Sequence, residues 1–267
     1  HDAGCPDGVF STLLISHDQV AELVRHPAVR AVTLTGSTGA GRRTAEVAGA
    51  SLKKVVLELG GSDPYLVLDD ADPEQAAEIC VQSRMINSGQ SCIAAKRFLT
   101  MPQIHKAFVE AVIEKMRAYR LGDPTDPNTR LGPMARHDLR DELHRQVMAS
   151  SKAGAMCVLG GDLPVSDGAY YYPTVLTGVQ PGMPAADEEL FGPVAAVMAA
   201  RDENQLITLA NQTCYGLGAA VLTGDAERGR ILAEQHLDAG CCFVNAFVKS
   251  DPRLPFGGVK CSGYGRE

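Results

Sequence analysis

Val29-Arg30-Ala31-Val32-Thr33-Leu34-Thr35-Gly36-Ser37-Thr38-Gly39-Ala40-Gly41 is the stretch that decides the architecture. The β-branched run over 29–34 predicts a strand, and three glycines spaced GxxGxG predict a loop over 36–41. Residues 42–50 predict a helix and 54–59 a second strand, completing a strand–helix–strand unit.

The same alternation continues outward. Strands are expected over 65–68, 97–100, 156–159, 172–176, 194–200, 219–222 and 241–244. Helices are expected over 74–85, 104–119, 137–153, 203–210 and 226–236. The acidic run Asp69-Asp70-Ala71-Asp72 followed by Pro73 supplies one helix start. The fold class predicted is α/β with a largely parallel sheet. The adjacent glycines of Gly60-Gly61-Ser62, which let the chain change direction, mark the expected domain boundary.

Composition narrows the function. In 267 residues, 25 basic side chains face 32 acidic ones, a net charge of −7 that argues against nucleic acid as a partner. No run approaches the roughly 18 apolar residues of a membrane span, so no membrane partner is expected. The eight cysteines show no CxxC and no zinc-ligand spacing, so no metal is expected and reduced thiols in the cytoplasm are. No signal-peptide pattern follows His1, and the closing Ser262-Gly263-Tyr264-Gly265-Arg266-Glu267 is a polar glycine-rich run. Both ends read as cut.

Five constellations have chemical potential. The turn at Gly36, Ser37 and Gly41 reads as a plain connection or as a phosphate cradle at a helix N-terminus. Glu58, at the apolar end of its strand, reads as half of an ion pair or as a ligand-facing carboxylate. Cys92 follows Asn87-Ser88-Gly89-Gln90-Ser91, where a thiol is reachable and backbone N–H groups face a developing oxyanion. Glu188-Glu189-Leu190-Phe191-Gly192-Pro193 and Pro255-Phe256-Gly257-Gly258-Val259-Lys260-Cys261-Ser262-Gly263 read singly as turns.

In order, TGSTxxG, ELGG, GQxC, EExFGPV and PFGGxKxSGxGRE resemble the motif set of the NAD(P)-dependent aldehyde dehydrogenases across essentially the whole chain. The 34-residue step from Glu58 to Cys92 and the 97-residue step to Glu189 resemble that family too. Ala94-Ala95-Lys96-Arg97-Phe98 and Leu131-Gly132-Pro133-Met134-Ala135-Arg136 look most like its bacterial succinate-semialdehyde dehydrogenases. The resemblance implies an aldehyde dehydrogenase-like fold. Residues 1–60 would be the C-terminal part of a Rossmann-like cofactor domain, 61–247 the parallel-sheet catalytic domain, and 248–267 a substrate-entrance loop returning towards the cofactor domain.

It also implies roles. Cys92 would be the nucleophile, in a site that stabilises its thiolate, and Glu58 the base that activates the hydrolytic water. NAD or NADP would be held by Gly36, Ser37, Gly41, Leu59, Glu189 and Phe191. A small-molecule aldehyde would meet Arg253, Ser250 and Phe256, with the guanidinium pairing a distal carboxylate. The intact parent would be a homo-oligomer. The chain departs from some relatives at Ala94, where they carry a second cysteine, and at Ile86, where they carry an arginine. The segments bearing the family's oxyanion asparagine and ribose-binding lysine are not among these residues. A non-catalytic fragment of such an enzyme is the competing reading. A cysteine hydrolase is disfavoured, because no histidine sits in a suitable motif.

Overall fold

The computed structural model describes residues 3–267; His1 lies outside the described residues. Two sheets organise it. The small one is ordered β1-β2-β10, from β1 (Ala31–Thr35), β2 (Lys54–Glu58) and β10 (Gly263–Tyr264). β1 and β2 are parallel and joined by α2 (Thr38–Ala50), while β10 crosses back antiparallel, with Gly263 opposite Glu58.

The large sheet has seven strands, in the order β5-β6-β7-β4-β3-β8-β9. They are β3 (Pro64–Val67), β4 (Arg97–Thr100), β5 (Met156–Leu159), β6 (Thr174–Thr177), β7 (Val194–Ala199), β8 (Gly218–Leu222) and β9 (Cys241–Val244). All neighbours are parallel except β5, which pairs antiparallel with β6. The central strands β3, β4, β6 and β8 are buried at every position, as strands covered on both faces must be. That explains the apolar runs of β3 and β8.

Helices α3 (Pro73–Met85) and α4 (Pro102–Arg117) pack on each other, and α4 also packs on β5, β6 and β7. Phe108 of α4 meets Phe98 of β4 edge-to-face at 5.9 Å between ring centroids. On other strands, α7 (Glu203–Asn211) covers β3 and β4, and α8 (Ala226–Gln235) covers β8 and β9. Helix α5 (His137–Lys152) packs on the short α6 (Pro184–Asp187).

One expectation needs correction, and three elements were not expected. The span 36–41 is not wholly loop: α2 begins at Thr38, because Ser37 caps it by accepting the Ala40 N–H. The sequence pattern did not announce α1 (His17–Arg25), whose start is a capping box between Ser16 and Gln19. Nor did it announce α6 or β10, both too short to show a period.

Candidate active site

β2 ends on Glu58 and runs straight into Leu59-Gly60-Gly61, the strap between the two sheets. Each glycine is there for close approach. A Cβ on Gly61 would lie 2.7 Å from the Cys92 carbonyl oxygen, and one on Gly60 would overlap the Glu189 carboxylate. The strap is clamped from the other side by Ser262. Its buried hydroxyl donates to the Gly60 carbonyl at 2.6 Å and accepts the Gly216 N–H at 3.0 Å. The Ser262 carbonyl accepts the Leu59 N–H at 3.0 Å.

Glu58 is 3% exposed and neither carboxylate oxygen has a hydrogen-bond partner among the described residues. The ion-pair reading is therefore corrected: no cation is bonded to it. Burial pushes its pKa up to about 7, Glu267 adds to the rise, and Arg266 opposes it.

Cys92 follows a turn in which Asn87, Ser88 and Gly89 all take left-handed backbone conformations, with φ of 49°, 57° and 76°. For the first two residues that is a strained choice. Gly89 makes the turn fit, since a Cβ there would overlap the Gly192 carbonyl just beyond Phe191. The buried Arg84 guanidinium donates to the Gly89 carbonyl at 2.5 Å.

The Cys92 thiol is half-buried. Burial raises its pKa above the ordinary thiol value, while Lys96 pulls it down. The expected stabilisation of the thiolate is thus outweighed here by desolvation, which disfavours any anion.

Lys96 is the residue that sequence reasoning passed over. Its fully buried ammonium donates to the carbonyls of Ser91 at 2.9 Å and Cys92 at 2.7 Å, and lies 3.4 Å from Glu189 Oε1. The same oxygen accepts the Gly61 N–H at 3.0 Å. One signal was present: a lysine between Ala95 and a strand buried throughout must have internal partners. Asp63 was missed as well. It is buried, accepts the Gly218 N–H at 3.1 Å, and is pushed up to about 7 by burial.

The glycine turn joins this cluster through β2. Gly36 donates its N–H to the Glu58 carbonyl at 3.0 Å, and a Cβ on Gly41 would lie 2.5 Å from Leu59 Cδ1. The N-terminus of α2 fits a phosphate-bearing cofactor. Space is open around Gly39, and α2 presents N–H groups not yet paired within the helix. Phe191 is half-buried and Phe256 is 9% exposed.

Arg253 and Ser250 do not join the cluster. The Arg253 side chain is 85% exposed and makes a two-bond ion pair with Asp251, at 2.9 and 2.6 Å. Ser250 is exposed beside it. A cavity of about 700 Å³ beyond the end of α4 contains none of the expected site residues.

All five sequence constellations therefore touch one another through named atoms. A comparison with protein families matches residues 1–267 to the Aldehyde dehydrogenase family. The chain belongs to that family.

The succinate semialdehyde dehydrogenase Sad of Escherichia coli, named as acting with NAD(P)+, is 48% identical over 266 residues. That alignment covers 100% of this chain and 57% of the relative. The NADP+ succinate-semialdehyde dehydrogenase of Deinococcus radiodurans is 46% identical over 267 residues, covering 100% of this chain and 56% of the relative. A crystal structure of succinic semialdehyde dehydrogenase from Streptococcus pyogenes with NADP+ superposes with a TM-score of 0.96 at 36% identity, over 99% of this chain and 58% of that one. The chain thus spans a little over half the length of these relatives.

Proposed function

We propose that this chain carries the reaction centre for NAD(P)+-dependent oxidation of an aldehyde, succinic semialdehyde, to the carboxylic acid. The observation that carries the reading is the strap Glu58-Leu59-Gly60-Gly61. It carries an unpartnered carboxylate at its start, and its Gly61 backs onto the Cys92 carbonyl while donating its N–H to the Glu189 carboxylate. The names of the relatives support the substrate and the cofactor pair.

On this reading Cys92 Sγ attacks the aldehyde carbon, and the Cys92 backbone N–H stabilises the oxyanion that forms. The bound cofactor supplies a hydride acceptor. Glu58, poised near pH 7, takes a proton from the water that hydrolyses the resulting thioester. Gly36, Ser37, Gly41, Leu59, Glu189 and Phe191 hold the cofactor, and Phe256 walls the aldehyde. Arg253 and Ser250 receive the distal carboxylate once Arg253 exchanges its bond to Asp251.

The division at residues 60–61, with 248–267 as the entrance segment, is proposed on the same grounds and is supported by the two separate sheets. Among the described residues no helix is long and apolar enough to cross a membrane. Cytoplasmic location and homo-oligomeric assembly are proposed from the resemblance.

The test is nicotinamide absorbance with succinic semialdehyde and NAD+ or NADP+, on this chain and on a protein of the relatives' length that carries it. Cys92→Ala should abolish oxidation while cofactor binding persists. Appreciable turnover by the purified variant overturns the proposal.

A further inference from the structure

Away from Glu58 and Cys92, two further cysteines meet where the 3-10 turn Lys260–Ser262 backs onto the segment 214–216. Val259 donates its N–H to the Gly216 carbonyl at 2.9 Å, and Cys261 donates to the Cys214 carbonyl at 2.9 Å. The second bond joins the Cys214 and Cys261 backbones directly, so their Cα atoms lie within about 6.8 Å of each other, the bond plus the short backbone path on either side. A disulfide spans Cα separations of about 4.4–6.8 Å. Burial raises the Cys214 pKa, and the neighbouring Cys261 side chain raises it further, as two thiols close to each other do.

The two thiols differ in setting. Cys214 is exposed, whereas Cys261 is half-buried with the Arg42 guanidinium 3.6 Å from its sulfur. The thiolate is the form that attacks a disulfide. The other cysteines lack this arrangement. Cys80 is buried, and Cys241 and Cys242 are neighbours on β9 that point to opposite faces.

We propose that Cys214 and Cys261 are a reversible dithiol–disulfide site, oxidised by a low-molecular-weight disulfide such as oxidised glutathione. The exposed Cys214 sulfur, as thiolate, attacks one sulfur of the small disulfide, forming a mixed disulfide and releasing one glutathione thiolate. The Cys261 thiolate then attacks the Cys214 sulfur and expels the second. Two protein thiols become one disulfide, the small disulfide is reduced to two thiols, and both protons leave with them.

The bond would lie where it can be felt. The Cys261 carbonyl accepts from Thr38 Oγ1 at 3.3 Å, on the first residue of α2, and the next residue, Ser262, clamps the Gly60 strap. The pair does not rest on the catalytic reading, and the following readout is chemical.

The chain is incubated with oxidised glutathione, its remaining thiols are alkylated, and it is digested with trypsin without reductant. The expected product joins the tryptic peptide 202–228 to the peptide 261–266, with two of the eight thiols lost and both restored by dithiothreitol. Cys261→Ser should leave Cys214 carrying glutathione, and Cys214→Ser should leave no linked species. On the unsubstituted chain, phenylarsine oxide, which bridges neighbouring thiols, should protect both cysteines from alkylation together. Oxidation that leaves Cys214 and Cys261 alkylatable, or gives only separate glutathione adducts on the unsubstituted chain, overturns the proposal. So does failure of the arsenical to protect the pair.

Discussion

Glu58 gives the sharpest residue-scale prediction. Its pKa near 7 means that it is protonated below that pH and a working base above it. Thioester hydrolysis should therefore rise through pH 7, and Glu58→Gln should flatten the profile. In that variant a burst of one reduced cofactor per site should precede a slow steady state, read by stopped-flow absorbance. A first turnover slowed as much as later ones would assign Glu58 another role. Stability moves the other way. A carboxylate whose folded pKa is raised helps folding below its ordinary value of 4.5, and that help is lost as pH climbs towards 7. Glu58→Gln should consequently resist urea better than the parent above pH 7 and equally well at pH 4. Lys96 makes the second case. Lys96→Met strands the Ser91 and Cys92 carbonyls and the Glu189 carboxylate, a cost of about 3–5 kcal/mol for breaking a buried charged cluster. It also removes the cation that lowers the Cys92 pKa, so the pH profile of thiol alkylation should move upward. An unmoved profile would make Lys96 a purely structural ion. Cys92, Glu58 and Glu189 were legible because their motifs keep fixed spacing. Lys96 and Asp63 were not, because a single charged residue reveals its partners only once the chain is folded.

At the scale of elements, buried strands and long helices stood out in the sequence through apolar runs and helical period. What escaped was short or borrowed: α1 depends on a two-residue cap, and β10 is two residues held by a strand from the other end of the chain. Arg97 shows how elements are fastened without leaving a motif. From β4 its buried guanidinium donates to the Leu209 and Ala210 carbonyls in the last turn of α7, at 2.7 and 3.0 Å, and to the Ser62 carbonyl at 3.0 Å. It therefore caps a helix from a strand, supplying donors that α7 itself lacks there. Arg97→Met should cost about 3 kcal/mol or more in denaturant unfolding, because three carbonyls lose a charged donor inside the core. A loss below about 1 kcal/mol would mean that water replaces the guanidinium.

On the scale of the whole molecule, the two sheets are held in register by the Gly60-Gly61 strap and by the return of Ser262 and Gly263. The entrance segment between β9 and that return bears on substrate choice. Arg253 is already paired with Asp251, which it holds down at a pKa of about 2. Binding a substrate carboxylate must break that exposed pair, and such pairs are weak. Arg253→Met should thus raise KM for succinic semialdehyde by about tenfold, the scale of one charge-assisted bond, and leave an uncharged aldehyde of similar length unaffected. Equal losses for both substrates would make Arg253 a loop brace, and no change for either would move carboxylate recognition to other residues. This segment was the least legible part of the sequence. Its polar residues have no period, and their pairing is decided by solvent as much as by fold.

The antiparallel seat of Gly263 against Glu58 also sets an order of events on the ribosome. Synthesis delivers β1 and β2 before the large sheet, and all seven strands of that sheet are complete once Val244 has emerged. Domains fold as the chain appears, N-terminal parts first. The strand that covers Glu58 arrives only with residues 263 and 264. A nascent chain stalled before that point holds its cysteine loop while its carboxylate strand still lacks one neighbour. The surroundings of the acid and of the thiol are therefore completed at different times, and translation keeps the carboxylate strand uncovered until residues 263 and 264 have been made.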